Sequence, residues 1–242
     1  MLDLQNLNQA FGDHVAVSGL SFGLQQGEVL GFLGQNGAGK STTMRMVAGV
    51  LEPDSGDAMI DGHSIITHRR NAQSRIGYLP EGAPLYRDMT AAGFLRFIAD
   101  AHGLSKTQRK DSVDRVIADA RIASVADKPN CAFSKGFRRR VGLAAALIHD
   151  TTVLFLDEPT DGLDPIQKRA VRALVASMAP EKAILISTHT LEEVPAMCSR
   201  VIVINDGRIV ADDTPDALAA RMEGGLEAAF FSLANGHETE TA

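Results

Sequence analysis

The chain has no tryptophan, only two tyrosines, two cysteines and no long apolar run. Each lack narrows what it can be. Cys131 and Cys198 cannot build a disulfide framework and have no metal-ligand partners at finger-like spacing, so both read as reduced thiols of a cytosolic protein. Apolar stretches such as Val153–Leu156 and Val201–Ile204 are strand-sized, well short of the roughly 20 residues a membrane helix needs. Met1-Leu2-Asp3-Leu4-Gln5 lacks a basic start leading into an apolar block, so no secretory signal is expected. Basic excess is missing as well. A net charge of −6 argues against nucleic acid as the partner, because binders of large polyanions carry surplus positive charge. What is present is ordinary for a globular protein: 45% hydrophobic and 22% charged residues in a chain of 242. That length supports a full core and lies between one and two average domains.

Strand-like runs at Val29–Leu33, Ile76–Leu79, Val153–Leu156, Ala183–Ser187 and Val201–Asn205 alternate with helical stretches at Lys40–Ala48, Ile166–Met178 and Leu191–Cys198. Several runs are apolar throughout, as strands covered on both faces are. The alternation predicts a parallel, doubly wound sheet. Leu2–Asn8, Val17–Leu24 and Ala58–Ile60 read instead as half-buried antiparallel strands near the N-terminus. From Thr90 to His149 helical faces take over: Phe94, Leu95, Phe97 and Ile98, then Val113, Val116 and Ile117, then Val141–Ile148. The expected organisation is one domain over 1–223, its core at 1–88 and 150–223 and a helical insert at 89–149. After Pro215 one short helix is expected. The stretch 224–242, with a Gly224-Gly225 break and the polar end His237-Glu238-Thr239-Glu240, reads as a weakly structured tail.

The strongest signal is Gly34-Gln35-Asn36-Gly37-Ala38-Gly39-Lys40-Ser41-Thr42, which matches G-x-x-x-x-G-K-[ST] between a strand and a helix. Glycines let consecutive backbone N–H groups turn inward around an anion, and the following helix adds its positive end. Lys40 supplies a mobile charge for the β- and γ-phosphates, and Ser41 a hydroxyl for Mg²⁺. The second element, Val153-Leu154-Phe155-Leu156-Asp157-Glu158-Pro159-Thr160, is a buried strand ending in two carboxylates, at the sheet edge where ligands bind. Asp157 is expected to hold Mg²⁺, and Glu158, pointing elsewhere, to polarise an attacking water. The fold expected is an α/β P-loop NTPase core of the RecA-like kind, with an N-terminal antiparallel β subdomain and an inserted helical subdomain.

With these motifs in order, the chain resembles the ATP-binding cassette subunits of ABC transporters over Leu2 to Leu218. Ser134-Lys135-Gly136-Phe137-Arg138-Arg139-Arg140 is similar to the family signature, Asp161-Gly162-Leu163-Asp164 to its D-loop, and Ser187-Thr188-His189 to its switch histidine. Phe11 stands where an aromatic stacks on adenine. The resemblance implies a head-to-tail dimer, most simply of two identical copies. Each ATP is then clamped between the P-loop of one copy and Ser134, Gly136 and Asp164 of the other. Ser134 is also a good N-cap, and a helix N-terminus with a hydroxyl suits a γ-phosphate. His189, at the sheet edge, is placed to bond the γ-phosphate and orient water beside Glu158. The pattern departs from L-S-G-G-Q at Phe133, Lys135 and Phe137, and from glutamine at Glu81, whose carboxylate can still ligate Mg²⁺. Arg138–Arg140 reads as a solvated or inter-subunit face.

Glu81 and the Ser-Lys-Gly signature, with Ile76–Arg87 and Val201–Ala211, resemble the ABC-2-type exporters and within them the gliding-motility-associated cassettes. The resemblance implies an ATPase on the inner face of the cell membrane, peripheral and cytoplasmic. It would drive a separate permease docked near Glu81–Thr90. The rival reading is a soluble ABC ATPase acting on ribosomes or DNA. One cassette and no sustained heptads weigh against it.

Overall fold

The computed structural model describes residues 1–235. In chain order the first elements are β1 (Leu2–Phe11), β2 (His14–Leu24), β3 (Val29–Leu33), α1 (Lys40–Val47), β4 (Ser55–Ile60), β5 (His63–Ser64), α2 (Arg69–Gln73) and β6 (Ile76–Leu79). Three helices follow with no strand between them: α3 (Ala91–Ala101), α4 (Lys106–Asp119) and α5 (Lys135–Ala146). Alternation then resumes with β7 (Val153–Asp157), α6 (Pro165–Met178), β8 (Ala183–Thr188), α7 (Val194–Met197) and β9 (Arg200–Asn205). The chain continues through β10 (Arg208–Asp213), α8 (Pro215–Ala219) and α9 (Gly225–Asn235).

Two sheets result. One is antiparallel, in the order β2-β1-β4-β5, and the other has six strands in the order β10-β9-β3-β8-β7-β6. In the second, only the β9–β10 pair is antiparallel. Side-chain alternation along its central strands explains the layering. Leu30, Phe32, Val153, Phe155 and Leu185 pack with the antiparallel sheet and with Met44 and Val47 of α1. Leu33, Leu154, Leu156, Ile184 and Ile186 pack with α5, α6 and the other inserted helices. Strands apolar on both faces are therefore required, and β3, β7 and β8 are buried at every position. The inserted helices start on side-chain caps: Thr90 for α3, and a Ser105–Gln108 capping box for α4.

Two readings of the C-terminal part need correction. After Pro215 there are two helices, and the first residues of the expected tail are ordered. Gly224 precedes α9 and Gly225 opens it rather than ending the fold, and Leu226, Phe230 and Leu233 make an apolar stripe on it. Ala229 and Phe230 are buried, and Asn205 Nδ2 donates to the Ala234 carbonyl at 3.0 Å. His237–Glu240 lie outside the described residues. The edge strand β10 also goes beyond the expected set. It follows an Asp206-Gly207 turn with φ of 46° and 72°, the hairpin geometry such a pair favours. Among the described residues, no helix is long and apolar enough to cross a membrane.

Replacing Phe230 by Ala should remove about 3 kcal/mol of stability by opening a cavity. Urea unfolding of both proteins measures it, and coincident transitions would show that α9 is not part of the folded unit.

Candidate nucleotide site

The loop between β3 and α1 curls over the N-terminus of α1. Gly39 stands at the N-cap position with φ of 101°, and a Cβ there would collide with the Ala16 carbonyl, so only glycine fits. No side chain caps α1 and its first turn holds no acidic residue. The helix therefore presents free amides and its positive dipole end to the cleft. The loop is also held from the far end of the chain. The Gly207 amide donates to the Ala38 carbonyl at 3.1 Å, and the Ser18 amide to the Gly207 carbonyl at 2.9 Å.

Phe11, His14, Ala16, Asn36, Gly37, Gly39, Lys40, Ser41, Thr42, Glu81 and Glu158 line one cleft of ≈ 330 Å³. Phe11 is 51% exposed, so its ring is open to a planar ligand. Lys40 is buried, its Nζ 2.7 Å from the Gly34 carbonyl and 2.9 Å from that of Gln35. Burial lowers its pKa, opposed by the charges of Glu158, Asp157 and Glu81.

A second cavity adjoins the first and brings Ser41, Glu81 and Asp157 together with Tyr78, Lys135 and Asp161. Ser41 Oγ lies 3.4 Å from Asp157 Oδ1, which also accepts a bond from the Ser187 hydroxyl. The chain then turns sharply. Glu158 has φ of 53°, left-handed for a residue with a side chain, so its carboxylate leaves the direction of Asp157. Its amide donates to both the carbonyl and the hydroxyl of Ser187. Glu158 Oε1 lies 2.8 Å from Nδ1 of His189, which stands just past the end of β8. Burial raises the Glu158 pKa, and the His189 bond opposes that rise.

Ser134, Gly136 and Asp164 lie outside this cleft. Ser134 caps α5 by accepting from the Phe137 amide, and Asp164 caps α6 by accepting from the Gln167 amide at 2.8 Å. The reading of Arg138–Arg140 as a solvated or inter-subunit face is corrected at its centre. Arg139 is 3% exposed and donates to the Pro80 carbonyl at 3.3 Å, whereas Arg140 stacks on Phe137 at 4.3 Å. Helical periodicity from the Ser134 cap turns residue 139 inward. Motif reading missed His14, which lines the cleft, and named Ser187 only within the switch segment, without its bond to Asp157. The Phe11↔His14 pairing across the first hairpin was the available signal for His14.

Such a site, a strand–glycine loop–helix with two carboxylates and a histidine at the neighbouring strand ends, defines a P-loop nucleotide-binding cassette. A family model described as "ABC transporter" matches residues 17–161. The "Nod factor export ATP-binding protein I" of Sinorhizobium fredii is 39% identical over 90% of this chain and 64% of its own length. The "Probable multidrug ABC transporter ATP-binding protein YbhF" of Escherichia coli is 32% identical over 99% of this chain and 43% of its own. This chain thus spans less than two thirds of the first relative and less than half of the second. A solved structure titled "Structure of ATP binding subunit of ABC transporter" superposes with a TM-score of 0.87, at 26% identity, over 96% of this chain and 99% of that one. The chain belongs to the ABC transporter family, as an ATP-binding subunit of a class whose members are ATPases.

If Glu158 acts as a base in turnover, kcat should fall on the acid side with a midpoint above the ordinary carboxylate value of 4.5. In His189→Ala the residual kcat should show that limb at still higher pH, because the opposing bond is gone. Steady-state rates across pH measure both, and a limb that moves down instead would contradict the pairing.

Proposed function

We propose that the protein hydrolyses ATP to drive export through a separate membrane permease, of the ABC-2 type. The observation that carries this reading is the convergence of Lys40, Ser41 and Glu158 on one cleft at the bare N-terminus of α1, with Asp157 in the adjoining cavity and His189 bonded to Glu158. Adenine stacks on Phe11. The amides of Gly34, Gln35, Asn36, Gly37, Ala38, Gly39 and Thr42, with the Lys40 ammonium, take the phosphates. The donor set suits Mg²⁺: Ser41, Asp157 and Glu81 offer only hard oxygens facing one cavity. Among the described residues no three His, Cys, Asp or Glu side chains could hold a metal ion by themselves. Mg²⁺ needs no such cage when phosphate and water oxygens complete its shell. When bound, it would neutralise charge on the β- and γ-phosphates.

Glu158 accepts a proton from the attacking water, His189 holds the carboxylate and faces the γ-phosphate, and the bond to the ADP oxygen breaks in line. Ser134, Gly136 and Asp164 act on the ATP of a second copy, which closes the cleft and excludes solvent. A groove of ≈ 380 Å³ between Ile76, Ala83 and Pro84 on one side and Phe94, Ile98 and Ala145 on the other supports docking of the permease. Tyr86 and Phe97 are exposed beside it, their rings 5.4 Å apart. In this reading the chain works on the cytoplasmic face of the membrane. The export name of one relative and the transporter name of the other favour this reading over an ATPase of ribosomes or DNA.

Glu158→Gln should lower kcat by about 10²–10⁴-fold and accumulate an ATP-bound dimer, seen by size-exclusion chromatography with light scattering. Undiminished phosphate release would remove Glu158 from its role. Lys40→Ala should weaken ATP binding by about 2 kcal/mol, roughly thirtyfold. Unchanged affinity in a calorimetric titration would remove the phosphate assignment.

A further inference from the structure

Asp161 lies in the turn that leaves β7, and α5 reaches it twice. Lys135 Nζ is 2.6 Å from Asp161 Oδ2. The Lys135 stem lies over Gly162, where φ is +71° and a Cβ would come 2.5 Å from Lys135 Cδ. One helical turn on, the Nη2 of buried Arg139 is 3.9 Å from Asp161 Oδ2 and has no hydrogen-bond partner among the described residues. A guanidinium so placed needs a carboxylate nearby, and Asp161 is the largest of the acidic influences on it, ahead of Asp157, Glu158 and Glu81.

Two of the site's three acids, Glu158 and Glu81, are tied to this cluster through the backbone. The Asp161 amide donates to the Glu158 carbonyl at 3.2 Å. Arg139 Nη1 holds the carbonyl of Pro80, the residue before Glu81. Between Glu158 and Asp161, the Thr160 hydroxyl is fixed by buried Glu193, which Lys168 Nζ meets at 3.1 Å. The Lys135–Asp161 pair is too exposed to contribute much stability. Its consequence is geometric.

We propose that Asp161 is a positioning residue for ATP hydrolysis, gathered by Lys135 and Arg139 so that the Glu158 turn and the Glu81 loop keep one fixed relation to the head of α5. The proposal rests on the ATPase reading above. Wild-type turnover tests that reading, and the ratio of variant to wild-type kcat tests this one.

Lys135→Ala, at an exposed site, should keep its thermal midpoint and its KM for ATP while kcat falls about tenfold. Asp161→Asn should lower kcat by about ten- to a hundredfold, the scale of a small misplacement near the chemistry, and Asp161→Glu should restore most of it. The double variant Lys135→Ala/Asp161→Asn should be no slower than Asp161→Asn alone, because both act through one contact. Wild-type kcat in Lys135→Ala, a loss confined to KM, or losses that multiply in the double variant would each overturn the proposal.

Discussion

One buried ammonium organises the nucleotide site. Taking Lys40 out of water carries a penalty of several kcal/mol, and the fold offsets it twice. The Gly34 and Gln35 carbonyls accept its protons, and Glu158, Asp157 and Glu81 supply opposite charge from neighbouring strand ends. Those carboxylates would repel each other if unpinned. Ser187 fixes Asp157 from one side, His189 fixes Glu158 from the other, and the left-handed turn at Glu158 keeps the two apart. The charges around Lys40 are therefore held in one interlocked set. A polyphosphate entering the cleft exchanges protein carbonyls for phosphate oxygens around Lys40 without leaving that cation bare.

Much of this was legible from one-dimensional pattern. β3 and β6 fall where apolar runs end at turn residues, and the glycine loop declares its own geometry because its spacing is dictated by backbone conformation. Asp157 and Glu158 were legible as a strand-end pair, since a parallel sheet exposes that edge. Other parts depended on distance in sequence. Helical phase buries Arg139, yet three adjacent arginines look solvated until the position of Asp161 is known. α9 was hidden by its polar neighbours and its leading glycines, although Leu226, Phe230 and Leu233 already had helical spacing. The Asp-Gly turn before β10 was a plain hairpin signal outweighed by the parallel pattern around it. Ser187 was named within the switch segment, but its bond to Asp157 arises only from the β7–β8 register, in which the two are direct partners.

The bridge from Gly207 to Ala38 and Ser18 bears on biosynthesis. The loop that would grip ATP is buttressed by a hairpin encoded some 170 residues downstream, a separation given by positions 207 and 38. A chain emerging from the ribosome therefore lacks a finished pocket until its last sheet strands have been translated.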